Sequence, residues 1–133
     1  MDLIKQNGKK VGPITDILHK FKYSFQGLWY CYTHETSFIF ETIGVIAIII
    51  CGIIFKISFN EWILGILSML NIMQIELLNT GIEATVDMFT KEFNPFAKIA
   101  KDCGSAATCI ATFIAIGLNA IIFIPKIFPF LFK

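Results

Sequence analysis

The chain has 133 residues, enough for one domain, and a net charge of +1. It is 56% hydrophobic and 16% charged, with a mean hydropathy of +0.71, where soluble domains sit near 45–50% and about 25%. That balance points to a membrane protein and gives no reason to expect a nucleic-acid partner.

Residues 1–13 are polar and read as a flexible tail, with no signal-peptide core in the first twenty positions. From Ile14 to Thr33 the residues Ile14, Ile17, Leu18, Phe21, Phe25 and Leu28 recur at helical spacing, with Trp29, Tyr30 and Tyr32 at one end. This predicts an amphipathic helix over 14–33 that lies on a membrane surface. Three apolar segments follow, at about 38–57, 62–82 and 103–125. Each is close to the ~20 residues that cross a bilayer. Asn60-Glu61 reads as the turn between the first two, and 83–102 as a longer polar connection broken at Asn94-Pro95. The expected fold is an all-α membrane protein: one surface helix and three transmembrane helices in a single domain over 1–133.

The second span carries the most informative stripe. At about 100° per residue, Glu76, Asn79, Glu83 and Asp87 share one helix face. A carboxylate such as Glu76 in an apolar span is costly, and by default it marks function. Lys98, Lys101 and Asp102 share a face before the third span. Lysine counts set the orientation. The N-terminal region and the 83–102 connection hold Lys5, Lys9, Lys10, Lys20, Lys22, Lys91, Lys98 and Lys101, and the other side holds Lys56, Lys126 and Lys133. The positive-inside rule then puts the N-terminus in the cytoplasm. Oxygen ligands near lysines suit Mg²⁺ and phosphate groups, the requirements of phosphoryl transfer. No Walker sequence or GxGxxG is present. Cys31, Cys51, Cys103 and Cys109 form no CxxC pair and read as reduced packing residues. His19 and His34 read as interfacial, and Glu41 is assigned no role.

The motifs Glu76-Leu-Leu-Asn79-Thr80-Gly-Ile82-Glu83-Ala84-Thr-Val86-Asp87 and Ala97-Lys98-Ile-Ala100-Lys101-Asp102-Cys-Gly104-Ser105-Ala106-Ala107 resemble the signature of the bacterial diacylglycerol kinase family. These small integral-membrane lipid kinases include the undecaprenol kinases. Tyr23–Leu28 and Glu35–Glu41 extend the likeness. The resemblance implies a homotrimer in the bacterial inner or plasma membrane that transfers the γ-phosphate of ATP to a lipid hydroxyl. It implies Glu76 as the general base that also meets the lipid, Asn79 as an active-site amide, and Glu35 and Glu83 as ligands of Mg²⁺. It implies nucleotide contacts at Tyr23, Glu92, Asn94, Lys101 and Asp102, and a lipid contact at Ser105. The chain departs from the family pattern where Asp16 and Ile39 stand in place of arginines.

Diacylglycerol is the expected acceptor and undecaprenol the alternative. A non-enzymatic small membrane protein is the reading from a different class. An intramembrane Glu76 alone would suit a proton path, but such a path has no need of the charged set at Glu83, Lys101 and Asp102.

Overall fold

The computed structural model describes residues 12–131; the expected tail, with Lys5, Lys9 and Lys10, lies mostly outside that range, as does Lys133. Four helices follow in order: α1 Pro13–His34, α2 Thr36–Ile54, α3 Phe59–Phe89 and α4 Pro95–Leu131. Among the described residues there is no strand. The helices α2, α3 and α4 are each long and apolar enough to cross a membrane.

Helix α1 starts with Pro13 in its first turn, where the missing N–H is unneeded. Its apolar stripe is uncovered within the chain: Ile14, Leu18, Phe21, Phe25 and Trp29 are all more than 60% exposed. That is the arrangement of a helix whose apolar face is left for lipid. Only Cys31 is buried, near the C-terminal end. There the Tyr32 ring meets Phe38 edge-on at 4.9 Å, and the Tyr32 and Thr42 hydroxyls share a hydrogen bond of 2.8 Å. A single extended residue, Glu35, joins α1 to α2 and caps both.

The first loop differs from the sequence expectation. Asn60 and Glu61 lie in the first turn of α3, and the chain reverses at Phe55–Ser58 instead. Helix α2 closes with the N–H of Ile57 donating to Gly52 O at 3.1 Å and that of Lys56 to Ile53 O at 3.4 Å, while Lys56 sits at φ +50°. This pairing satisfies the last carbonyls of the helix, with lysine where glycine is usual. Ser58 then caps α3: its Oγ accepts from Glu61 N at 3.4 Å, and its own N–H donates to Glu61 Oε2 at 2.6 Å. The Ser58-x-x-Glu61 capping box is the start signal that outweighed the turn preference of Asn60. Lys126 of α4 pairs with Glu61 at 3.0 Å, tying that end of α4 to the turn.

The second loop is shorter than expected. Of the polar connection 83–102, only residues 90–94 are non-helical. Helix α3 has 31 residues and α4 has 37. At about 1.5 Å per residue both outrun a ~30 Å hydrocarbon core. Their polar ends stay helical beyond it, supported by the i,i+4 pairs Asp87–Lys91 at 3.7 Å and Lys98–Asp102. At its far end α4 runs on past Pro125 and Pro129, beyond the apolar segment at about 103–125.

Helices α3 and α4 make the main contact, and α2 packs on α3. Ile72, Ala111 and Ala115 form the buried centre, with Met69 and Ile75 against it. Small residues there let the backbones approach, which drives helix association in lipid. A Cβ on Gly65 would sit 3.3 Å from both Asn119 Oδ1 and Ile48 Cγ2, so all three spans converge at that glycine. Close by, Asn119 Nδ2 donates to Ser68 Oγ at 3.0 Å, a polar link between α3 and α4 inside the apolar layer.

Candidate active site

The face of α3 that carries Glu76, Thr80 and Asn79 is turned inward. Glu76 and Thr80 are buried, and Asn79 is partly so. Ser37, in the first turn of α2, donates a hydrogen bond to Glu76 Oε1. Glu76 Oε2 has no protein partner among the described residues, so one oxygen is held while the other stays free. One turn on, Asn79 Nδ2 donates to Glu83 Oε1 at 3.3 Å. Asn79 Oδ1 is buried without a partner and points at Gly104 of α4.

An ideal Cβ on Gly104 would overlap Asn79 Oδ1. Only glycine at 104 leaves the carboxamide where it is. The Gly104→Ala variant is expected to keep its helices and its thermal transition, because a side-chain tip can swing aside. Activity is expected to fall by roughly tenfold or more, since displacing an active-site group by about 1 Å costs up to 10²-fold. Circular dichroism beside kcat checks this; an unchanged kcat would show that Asn79 need not occupy this position.

Two cavities lie along the α3–α4 contact. The first, ≈ 370 Å³, is lined by Glu76, Asn79, Ser105, Thr108, Cys109, Thr112 and Phe113. It brings together Glu76, Asn79 and Ser105, three residues singled out from the sequence. The second, ≈ 490 Å³, sits at the polar ends of the helices, where Asp87, Glu92, Asn94, Lys98, Lys101 and Asp102 are among its lining. It gathers the nucleotide contacts expected at Glu92, Asn94, Lys101 and Asp102.

Asp87, Lys91, Lys98, Lys101 and Asp102 in this second cavity are already paired. Lys98 binds Asp102, but Lys101 reaches across to Asp87 Oδ1 of α3 at 2.5 Å. Beyond the apolar spans, this hydrogen bond with Lys101 holds the Asp87 carboxyl below its usual range and raises the Lys101 ammonium. Asn94 Oδ1 accepts from Phe96 N at 2.9 Å and Ala97 N at 3.2 Å, so its side chain caps α4.

Tyr23 and Glu35 line neither cavity. Tyr23 is exposed on α1, and Glu35 is half-buried at the α1–α2 corner. Glu83 lies between the two cavities and lines neither. Among the described residues, no group of three or more His, Cys, Asp and Glu side chains could hold a metal ion. Glu83 meets Asn79 through Nδ2 at 3.3 Å, while the unpartnered Oδ1 faces Gly104. The single carboxylate of Glu83 still fits a hard cation, since Mg²⁺ commonly takes one or two carboxylates and fills its shell with water and phosphate.

The sequence reading had no signal for Ser37, whose role appears only when α2 packs on α3. Asp87 was on the stripe, but its bond to Lys101 depends on how α3 and α4 are set against each other. Glu41 is buried on α2, and its Oε2 has no partner.

The pattern of the prokaryotic diacylglycerol kinase family matches residues 22–123 of this chain. The chain belongs to that family. It is therefore a multi-pass membrane lipid kinase that uses ATP as phosphoryl donor, and the non-enzymatic reading is set aside. Among its relatives, the undecaprenol kinase of Bacillus subtilis is 36% identical over 107 residues, which is 80% of this chain and 87% of that protein. The diacylglycerol kinase of Haemophilus influenzae is 36% identical over 104 residues, covering 77% and 86%. The diacylglycerol kinase of Escherichia coli K12 is 32% identical over 102 residues, covering 77% and 84%.

Proposed function

We propose that the acceptor is diacylglycerol, converted to phosphatidic acid, and that the two α3–α4 cavities divide the work. The observation that carries the division is their separation: Glu76, Asn79 and Ser105 line one within the apolar layer, while Lys98, Lys101 and Asp102 line the other at the polar ends. A lipid hydroxyl belongs in the first and a polyanion beside lysines in the second.

Glu76 acts as the general base. Its Oε1 is fixed by Ser37, and Oε2 accepts the proton as the hydroxyl oxygen attacks the γ-phosphorus and the bond from that phosphorus to the β–γ bridging oxygen breaks, releasing ADP. Ser105, on the opposite wall, positions the lipid headgroup. Lys101 turns from Asp87 to the phosphates, and Asp102, Glu92, Asn94 and Tyr23 complete the nucleotide contacts. Glu83 and Glu35 would hold Mg²⁺, which when bound neutralises charge on the transferring phosphate, and Asn79 is an active-site amide beside Glu83. The site works in a homotrimer with the N-terminus in the cytoplasm, the side on which the lysine excess gathers.

A second reading, undecaprenol as acceptor, is supported by the 36% identity to the Bacillus subtilis undecaprenol kinase over 107 residues. Side-by-side kinetics with both lipids in the same micelles decide between them. A kcat/KM at least tenfold higher for diacylglycerol is expected. The reverse ratio would establish undecaprenol as the acceptor.

A further inference from the structure

Asp87 is no part of the lipid cavity, yet it holds the lysine that the nucleotide is to take. It stands in the last turn of α3, and no basic residue shares that turn. A carboxylate there opposes the helix dipole, so the helix itself disfavours it. Its charge is met from outside the helix. Lys101 of α4 binds Oδ1 at 2.5 Å, and Lys91, just past the end of α3, lies 3.7 Å from Oδ2. Each carboxylate oxygen thus faces its own ammonium.

This arrangement suits an exchange of partners. Lys101, Asp87 and Lys91 all line the cavity at the polar ends of the helices. A polyanion in that cavity draws Lys101 away from Asp87. The carboxylate is not left bare when this happens, because Lys91 stays beside Oδ2. The pair is also open to water: the Lys101 side chain is 36% exposed and that of Asp87 43%. Ion pairs this exposed shift an equilibrium by about fivefold at most. That is enough to bias Lys101 and too little to lock it in place. A carboxylate in a phosphate cavity also repels its ligand, so Asp87 opposes nucleotide binding in two ways.

We propose that Asp87 is a positioning residue that competes with bound nucleotide for Lys101, and that it thereby keeps ADP from being held too tightly to leave. The proposal rests on the reading of this cavity as the nucleotide site and gives Asp87 a role within it. When ATP enters, Lys101 passes from Asp87 Oδ1 to the phosphates. When the γ-phosphoryl has gone to lipid, Asp87 takes Lys101 back and ADP loses that contact. Binding energy that holds substrate, transition state and product alike does not raise turnover, so loosening it costs the chemical step nothing.

The test compares the full-length chain with its Asp87→Asn variant in micelles. Calorimetric titration with ADP is expected to show binding about three- to fivefold tighter in the variant. The KM for ATP is expected to fall by a similar factor, and displacement of a fluorescent ADP analogue to slow. Asp87→Ser is expected to match Asp87→Asn, and Asp87→Glu, which restores the charge, to bring ADP affinity back towards the wild-type value. If the bond to Lys101 serves only to tie α3 to α4, its loss leaves ADP binding unchanged or weaker. Either result would overturn the competition. Lys101→Ala keeps the two readings apart. It is expected to weaken ADP and ATP binding by roughly tenfold or more, the loss of a hydrogen bond to a charged group. Unchanged affinity in Lys101→Ala would refute the nucleotide reading of the cavity itself.

Discussion

Glu76→Gln is expected to lower kcat at least a hundredfold while leaving ATP affinity nearly unchanged. A lipid hydroxyl is a poor nucleophile at neutral pH, and a positioned base that takes its proton during transfer contributes about 10²–10⁴-fold. Glutamine keeps the size of the side chain and can still accept from Ser37 Oγ, so the packing at this buried position survives. What it loses is the basic oxygen facing the cavity shared with Ser105. The nucleotide is expected some distance away: Glu83, seven residues on, is roughly 10 Å further along the helix axis at 1.5 Å per residue. That gap accommodates a phosphoryl group in transfer. Steady-state kinetics with saturating lipid, together with direct ATP binding, check both halves. A variant that loses ATP binding but keeps kcat would show the roles reversed.

Glu83→Gln is expected to abolish measurable turnover, by roughly 100-fold or more, with little change in helicity or oligomeric mass. The amide still fits beside Asn79, whose Nδ2 donates to Glu83 Oε1 at 3.3 Å. The substitution removes the negative charge that a divalent cation needs while keeping the local shape. The orphaned Asn79 Oδ1 cannot replace it, because a neutral oxygen binds Mg²⁺ far less strongly than a carboxylate. Titration with Mg²⁺ distinguishes the role: partial recovery at raised Mg²⁺ fits a weakened ligand. Near-normal turnover with unchanged Mg²⁺ dependence would contradict it.

Much of this was legible in the residues before any coordinates. Helical periodicity alone put Glu76, Asn79 and Glu83 on one stripe, because that geometry is local to one helix. The apolar runs located the three spans for the same reason. Helix ends were read less well. The preference of Asn60-Glu61 for a turn was outweighed by the capping box at Ser58, and polar residues 83–89 and 95–102 stayed helical through ion pairs rather than unwinding. Contacts between helices were out of reach. Ser37 meeting Glu76, Lys101 reaching Asp87, and Gly104 making room for Asn79 all depend on the rotation and offset of one helix against the next. Nothing in a single chain's periodicity encodes those quantities.

Transfer of labelled γ-phosphate from ATP in sealed vesicles of known sidedness tests the central claim most directly. ATP is added to one face at a time, with diacylglycerol and undecaprenol both present in the bilayer. Label is expected on lipid only when ATP reaches the face that carries Lys98, Lys101 and the N-terminus, and the Glu76→Gln chain is expected to transfer at least a hundredfold less. Label transferred only from the opposite face, or equally by the Glu76→Gln chain, would contradict it.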